Sequence, residues 1–370
     1  MQKKTVIFFS ISAVLLVVAI LFWQAGKINS AGWSLVLFFL SLAFAFRGIP
    51  LLKGLSFTAI ILASVVLAMW HPEYFTTWGS FPLSSTIIPF IQLLMFGMGS
   101  SMSLNDFAAV VKSPKGVVIG VASQFIIMPL LGFTLSNVSN FPLEIAAGII
   151  LIGCSPSGLA SNVMAYLAKA NLALSITITS ITTLIAPFVT PLLMKLFAGA
   201  LIEIDVLKMM WDIFKMIIIP IGAGLLFNRL LKGKIQWLDK AMPVISMFAI
   251  TCIVTIIVAS GRDNLLKIGL LLIGIAFVHN TLGYLLGYWS GRLFKMNEKD
   301  CRTIAIEVGM QNAGLASGIA KELGKIATIG LGAAVFGPLM NITGSALASW
   351  WHNRPPVDKA NEKDMNHITK

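Results

Sequence analysis

The chain has 370 residues, of which 57% are hydrophobic and only 11% are charged, and its formal net charge is +12. Soluble globular proteins rarely combine these values, and the repeated apolar runs of about 18 residues or more predict transmembrane helices. The basic residues lie mostly at the ends of these runs, which is typical of membrane topology and excludes nucleic-acid binding as their explanation.

The apolar runs predict twelve membrane spans and therefore an all-α polytopic membrane protein. The spans are 5–23, 31–46, 54–70, 83–101, 116–135, 143–168, 171–198, 208–228, 241–260, 265–290, 302–320 and 326–351. The first span follows two lysines, as the apolar part of a signal peptide would. No clear small-x-small cleavage site follows it, so we favour a retained span over a cleaved one.

The distribution of basic residues predicts the topology. If both termini lie in the cytoplasm, most of the 27 Lys and Arg residues fall on the cytoplasmic side. The external loops 71–82 and 136–142 then contain no Lys or Arg. We therefore predict a multi-pass protein of the cell inner (plasma) membrane with both termini in the cytoplasm.

The spans also predict the domain organisation. Residues 1–50 form an extra N-terminal transmembrane hairpin, and residues 352–370 form a cytoplasmic tail. Between them, residues 51–351 contain two groups of five spans, 54–198 and 208–351. A group with an odd number of spans ends on the opposite side of the membrane, so a second copy must be inverted.

In each group the fourth span is interrupted at a similar sequence, SGLASN (157–162) in the first and AGLASG (313–318) in the second. Paired interruptions at corresponding positions indicate a transporter site near the middle of the membrane. Pro156 cannot continue a helix but suits the start of a new one, and Gly309 and Gly314 allow a second break. Free N–H groups at the new helix starts attract anions, whereas freed carbonyls suit a cation.

Glu307 is the only acidic residue near the centre of a long apolar run. Because an intramembrane carboxylate is costly, it usually has a function. The breaks are surrounded by hydroxyl, amide and carboxylate oxygens, which suit a hard cation; these belong to Gln124, Ser161, Asn162, Ser175, Thr179, Glu307 and Gln311. Each Ser or Thr could instead bond its own helix, and Gln124 could form only an interhelical hydrogen bond.

Four other polar residues within spans were considered. His279 is more commonly an interhelical hydrogen-bond partner than a proton carrier. Asp212 and Lys215 are three residues apart and should pair on one helix. Asn341, inside the last span, is a candidate to line the cavity.

Several motifs together resemble the bile acid:sodium symporter family, including its bacterial members. The motifs are FGMGSSMSLNDF (96–107), GVVIGVASQFIIMPLLGF (116–133), GCSPSGLASNVMAYLAKANLALSITITSITTL (153–184), VHNTLGYLLG (278–287) and IEVGMQNAGLAS (306–317). The resemblance extends from about residue 50 to about residue 351.

This resemblance implies a ten-helix fold with a panel domain and a core domain, in which the fourth and ninth helices are broken and cross. It also implies two sodium sites. The first comprises Ser161, Asn162, Ser175, Thr179 and Glu307, and the second comprises Gln124, Glu307, Gln311 and the carbonyls of Val308 and Met310. Met340 stands where some bacterial relatives have a polar residue, which weakens a specific assignment to bile acids.

The resemblance predicts a sodium-coupled symporter that carries an organic anion, either bile-acid-like or a small carboxylate such as pantoate, ketopantoate or pyruvate. No enzyme activity, nucleic acid or obligate protein partner is inferred. For the anion we predict contacts at Ser157, Gly158, Asn312 and Asn341. A channel or proton-coupled sensor, and an intramembrane hydrolase with Ser155 or Ser157 as nucleophile, are the alternatives. The hydrolase lacks a suitably placed His, and GCSPSG does not match a nucleophile elbow.

Overall fold

A computed structural model describes residues 2–49, 52, 54–102, 114–231, 236–354 and 356. This part of the chain is almost entirely helical. Its helices are α1 (Gln2–Gln24), α2 (Ile28–Arg47), α3 (Leu55–Trp70), α4 (Glu73–Thr76), α5 (Ile87–Ser101), α6 (Pro114–Val138), α7 (Leu143–Cys154), α8 (Ala160–Leu167), α9 (Leu172–Ala198), α10 (Val206–Leu231), α11 (Gln236–Ser260), α12 (Arg262–Leu293), α13 (Glu298–Gly309), α14 (Ala313–Glu322) and α15 (Ile329–His352). Strands β1 (Thr77–Trp78) and β2 (Phe81–Pro82) form a small antiparallel hairpin before α5.

Every predicted span coincides with a helix or with a pair of half-helices, which confirms the all-α polytopic fold. Within the described residues, eight helices are long and apolar enough to cross a membrane by themselves. The other four spans are the shorter α3, the apolar part of α11, and the two broken pairs α7–α8 and α13–α14. The predicted tail, 352–370, lies almost wholly outside the described residues.

The first break begins where Ser155 turns into an extended conformation, with φ −77° and ψ 154°, and ends α7. Pro156 follows and prevents the helix from continuing. The new helix begins only at Ala160, so the expectation that Pro156 lies in its first turn is wrong. The carbonyl of Pro156 accepts a hydrogen bond from the other break, and this contact holds the residue outside both half-helices.

The second break has a different cause from the one predicted. Met310 is extended, and the side chain of Asn312 caps α14 by accepting a hydrogen bond from the Leu315 N–H at 3.0 Å. Neither Gly309 nor Gly314 has a positive φ. A Cβ at Gly309 would lie 2.1 Å from the Tyr284 ring. Glycine is therefore required there for close helix packing, whereas the break itself depends on the Asn312 cap.

The helices pack in two groups. The first, here called the panel, comprises α3, α5, α10 and α11, and the second, called the core, comprises α6–α9 and α12–α15. The broken helices lie within the core, between α6, α9, α12 and α15. Helix α14 also packs against α5 and α10 of the panel. The two groups also touch where α9 of the core packs against α10 of the panel.

The N-terminal hairpin joins the panel, because α2 packs on both α1 and α3. At one end of α3, Trp70 Nε1 donates to the Ile28 carbonyl at 2.8 Å. Its ring occupies the space beside Gly32, where a Cβ would lie 2.4 Å from the ring. At the other end, Ser56 Oγ donates to the Ala43 carbonyl at 2.8 Å. The hairpin is therefore attached to panel helix α3 near both ends of that helix.

Deleting residues 2–46 should leave sodium binding intact, because the hairpin attaches to α3 while the predicted ion ligands lie in the core. The truncated protein should melt a few degrees lower, since α3 loses its packing against α2. Sodium-dependent thermal stabilisation in detergent, measured beside the full chain, tests this. A monodisperse truncated protein with no response to sodium would show that the hairpin is part of the ion-binding unit.

Candidate ion and substrate site

The two breaks lie against each other and form a short antiparallel bridge between Ser157 and Gln311. The Gly158 N–H donates to the Met310 carbonyl at 2.8 Å, and the Asn312 N–H donates to the Pro156 carbonyl at 2.8 Å. A Cβ at Gly158 would lie 2.6 Å from the Gln311 carbonyl oxygen, so glycine is required for this close approach. The half-helices therefore cross at the interruptions, as predicted.

Glu307 lies in the last turn of α13, next to the crossing, and is fully buried. Four hydroxyl groups donate to its carboxylate. They are Ser161 at 2.6 Å and Ser175 at 2.5 Å to Oε1, and Ser157 at 2.6 Å and Thr179 at 2.7 Å to Oε2. Across the described ranges, no Lys, Arg or His forms an ion pair with this carboxylate. The carboxylate is therefore surrounded by neutral groups.

The electrostatics of this arrangement favour a cation. An ionised carboxylate offers about four acceptor positions, and here all four are used by neutral donors. The hydroxyl dipoles stabilise the charge but do not cancel it. The carbonyl end of α13 adds partial negative charge at the same place. A buried site with this potential attracts a positive ion.

All members of the first predicted sodium site lie together. Besides the contacts with Glu307, Asn162 Oδ1 lies 2.9 Å from Ser175 Oγ, and the Ser161 and Thr179 hydroxyls are 3.2 Å apart. These hydroxyls bond to one another and to the carboxylate, so they do not serve only their own helices. The site unites α8, α9 and α13 around one cluster of oxygen atoms.

The second predicted sodium site is also assembled around two amides. Gln124 Nε2 donates to Gln311 Oε1 at 2.8 Å, and Gln311 Nε2 donates to the Val308 carbonyl at 2.6 Å. The Met310 carbonyl accepts from the Gly158 N–H. An ion at this position needs the Gln311 amide to turn, so that its oxygen takes the place of its nitrogen. Such a rotation keeps the side chain in the same volume.

The interhelical role that we considered for Gln124 is present as well, because its Nε2 donates to the Ser155 carbonyl at 2.9 Å. The second half repeats this contact, since Asn280 Nδ2 donates to the Gly309 carbonyl at 2.8 Å. Each amide lies on the helix before a broken span and satisfies a carbonyl exposed by the break. Sequence reasoning noticed Asn280 beside His279 inside the tenth span but assigned it no role; its separation from Gly309, 29 residues against 31 for the first pair, was the available signal.

The four residues predicted to contact the anion differ in whether their polar groups are free to do so. The Ser157 hydroxyl bonds to Glu307, and the N–H groups of Gly158 and Asn312 are used by the opposite break. Asn341 is half-buried, and its side chain makes no hydrogen bond within the described chain. Asn341 lies one helical turn from Gly337. A Cβ added at Gly337 would lie 3.3 Å from the Ala313 side chain at the start of α14.

Two of the simpler expectations agree with the geometry. His279 is buried, and its Nε2 lies 3.0 Å from the Met128 carbonyl on α6, which makes it an interhelical hydrogen-bond partner. Asp212 and Lys215 pair on α10, with Oδ1 and Nζ 2.8 Å apart. Neither feature contributes an atom to the Glu307 cluster.

Comparison with known proteins identifies the family. A model of the Sodium Bile acid symporter family matches residues 88–268. The chain is 39% identical over 321 residues to the "uncharacterized sodium-dependent transporter YocS" of Bacillus subtilis (strain 168), an alignment that covers 86% of this chain and 98% of that protein. The chain belongs to the sodium bile acid symporter family.

Two plant proteins extend the similarity. The "probable sodium/metabolite cotransporter BASS1, chloroplastic" of Oryza sativa subsp. japonica is 33% identical over 308 residues, which is 83% of this chain and 74% of that protein. The corresponding BASS5 protein of Arabidopsis thaliana is 31% identical over 304 residues, or 80% and 74% of the two chains. The protein is thus an integral membrane transporter of a sodium-dependent family and not an enzyme, and the hydrolase alternative is wrong.

Gly158→Ala should separate the two breaks, because the new methyl group would overlap the Gln311 carbonyl. We expect it to destabilise the protein by about 1–3 kcal/mol and to weaken sodium binding. The apparent melting temperature with and without sodium measures both effects. Gly222→Ala is the matched control, since no described atom lies within 4 Å of its Cβ position. Equal behaviour of the two variants would contradict the predicted overlap.

Proposed function

We propose that this protein is a sodium-coupled symporter that carries an organic anion across the membrane by alternating access. The observation that carries the proposal is the fully buried Glu307 carboxylate, which four neutral hydroxyls surround without a basic partner in the described chain. A charge at this depth is stabilised by a bound cation that comes and goes during transport. Membership of a sodium-dependent family supports sodium as that cation.

The first sodium ion would bind among Glu307 and the side chains of Ser161, Asn162, Ser175 and Thr179. These groups supply only oxygen atoms, which a hard cation prefers. The hydroxyls now donate to the carboxylate, and rotation about the Cα–Cβ and C–O bonds turns their lone pairs toward an ion. The ion replaces the hydrogen-bond stabilisation with direct charge compensation.

The second sodium ion would bind on the other side of Glu307, between Gln124, Gln311 and the carbonyls of Val308 and Met310. Carbonyls at the ends of interrupted helices are typical sodium ligands in secondary transporters. Both ions would share Glu307. Binding of either ion reduces the negative potential that the other experiences, so the carboxylate links the two sites electrostatically.

The chemistry of the groups around Glu307 supports a metal cation as the coupled ion. The side chains of Ser157, Ser161, Ser175 and Thr179 surround the carboxylate with neutral oxygen atoms. Oxygen atoms are the ligands that a hard cation prefers.

The anion would bind at the starts of α8 and α14, where the positive ends of the helix dipoles lie. The N–H groups of Leu159, Ala160 and Gly314 make no backbone hydrogen bond in the described chain. These N–H groups can donate to the anion in place of those of Gly158 and Asn312, which already donate to the opposite break. Asn341 stands near the start of α14 and could supply a further amide.

Alternating access requires that the substrate position lie between two bodies that move. The start of α14 meets panel helix α5, because a Cβ at Gly314 would lie 3.9 Å from Leu94. One turn further, the Gly318 position is 2.6 Å from Ile91 and 2.9 Å from Met216. The core thus presents the crossing to the panel through small residues, and we propose that sliding at this contact exposes the site to each side in turn.

The cargo would be a bile-acid-like anion or a small carboxylate, with pantoate, ketopantoate and pyruvate as examples. The plant relatives named sodium/metabolite cotransporters favour a small metabolite. Met340, which is largely buried, presents no polar group for a large steroid conjugate. We place the transporter in the plasma membrane with both termini in the cytoplasm, as the basic residues predict.

Glu307→Ala should abolish sodium-driven uptake while the protein remains folded, because the variant removes the one charge that the site depends on. Glu307→Gln keeps the shape and should also lose uptake, which separates the charge from the packing. Uptake of a panel of labelled organic acids into proteoliposomes, with inward sodium or potassium gradients, measures this. Size-exclusion profiles in detergent check folding.

The control for these variants is Glu322→Gln, which removes an exposed carboxylate at the far end of α14. It should transport like the unmodified protein. Sodium-dependent uptake that persists at the normal rate in Glu307→Ala would refute the proposed coupling site.

Sodium and the transported anion should bind cooperatively, because the ions supply positive potential beside the helix starts that hold the anion. Linkage makes the effect reciprocal, with a typical coupling of roughly 1–3 kcal/mol. Calorimetric titration of the anion in sodium and in potassium, and of sodium with and without the anion, measures both directions. Equal anion affinity in the two salts, for an anion shown to be transported, would contradict the coupling.

A further inference from the structure

Thr183 on α9 has a fully buried hydroxyl group with no hydrogen-bond partner in the described chain. Its neighbour Thr182 is equally buried but donates to the Ile178 carbonyl at 2.8 Å and approaches the Thr179 carbonyl at 3.1 Å. A helical threonine usually bonds the carbonyl four residues earlier. For Thr183 that acceptor is Thr179, which Thr182 already contacts, so the Thr183 hydroxyl is left for another partner.

The position of Thr183 on the helix places it close to the ion-binding oxygens. Residues advance by about 100° along an α-helix, so Thr183 lies about 40° from Thr179 and about 20° from Thr190 around the α9 axis. Thr179 bonds to Glu307 at 2.7 Å, and Thr190 donates to the Cys154 carbonyl at 2.8 Å where α7 ends. Thr183 therefore belongs to a stripe of hydroxyls that connects the carboxylate with the first break.

We propose that the Thr183 hydroxyl is a further oxygen ligand of the first sodium ion, the one bound beside Thr179 and Glu307; this inference rests on the proposed function. A threonine hydroxyl adds an oxygen donor without adding charge, so it would increase ion affinity while leaving the charge balance to Glu307. The uncompensated carboxylate draws a cation to this stripe, and Thr183 has both lone pairs free to meet it.

The same observations argue against a purely structural role for this residue. A structural threonine in a buried helix bonds within its own helix, as Thr182 does, or across to a neighbour, as Thr190 does. Thr183 does neither. Its hydroxyl is nevertheless fully buried, one helical turn from Thr179, and a buried polar atom is costly when it has no partner.

Thr183→Val replaces the hydroxyl by a methyl group of similar size, and Thr182→Val makes the same change one residue away. Sodium is titrated against each purified variant, with choline to hold the ionic strength constant, and the apparent melting temperature is recorded at each concentration. Thr183→Val should raise the sodium concentration for half-maximal stabilisation by about three- to tenfold. Thr182→Val should stay within about twofold of the unmodified protein, and Thr183→Ser should restore its value.

Each outcome decides the proposal. If Thr183→Val and Thr182→Val give the same sodium midpoint, Thr183 is not a ligand. If Thr183→Val lowers the melting temperature without shifting the midpoint, the hydroxyl holds a structural water and the proposal fails. Should the valine variant not fold, Thr183→Ala compared with Thr183→Ser carries the same test. A lack of any sodium response in the unmodified protein would instead refute the proposed function itself.

Discussion

The buried negative charge of Glu307 is the constraint on which the rest of the site depends. An ionised carboxylate without a basic partner costs several kcal/mol in a protein interior unless neighbouring groups stabilise it. Here four hydroxyls from α8, α9 and the first break converge on it. Because each contact is directional, the charge also holds these segments in one arrangement. Stabilisation by neutral donors leaves the charge itself uncompensated, so a cation can bind and leave without breaking an internal ion pair.

The crossing of the broken helices solves a second problem that the membrane imposes. Interrupted backbone cannot face lipid, because its N–H and carbonyl groups need partners within the protein. The breaks satisfy each other through the backbone groups that flank Ser157 and Gln311, and the amides of Gln124 and Asn280 satisfy one carbonyl at each break. What remains is a cluster of oxygen atoms around Glu307 and unpaired N–H groups at the helix starts. In the proposed function the oxygen atoms bind the cation and the N–H groups bind the anion.

The packing of the described helices holds this crossing in place. The core surrounds the broken helices with α6, α9, α12 and α15, while the panel meets them through the small residues of α14. Side-chain contacts also hold the outer ends of the broken helices. Glu144 at the start of α7 pairs with Lys325 and accepts a hydrogen bond from Thr328 at 2.6 Å. At the opposite end, Asn171 Nδ2 donates to Asp300 Oδ1 at 2.7 Å. Contacts at both ends and at the crossing favour movement of the core as a unit.

The sequence by itself determined the membrane spans, the two interruptions and the importance of Glu307. Span length and hydropathy follow from the thickness and polarity of the bilayer, and an isolated intramembrane carboxylate stands out because of its cost. Only the tertiary structure decided that Ser157 bonds to Glu307, that the Gly158 and Asn312 N–H groups pair across the crossing, and that Asn280 repeats the contact of Gln124. The physical reason is that hydroxyls, amides and backbone groups in membrane helices have local partners of similar quality. Which partner each one takes depends on contacts between segments up to 187 residues apart, which local sequence patterns do not contain.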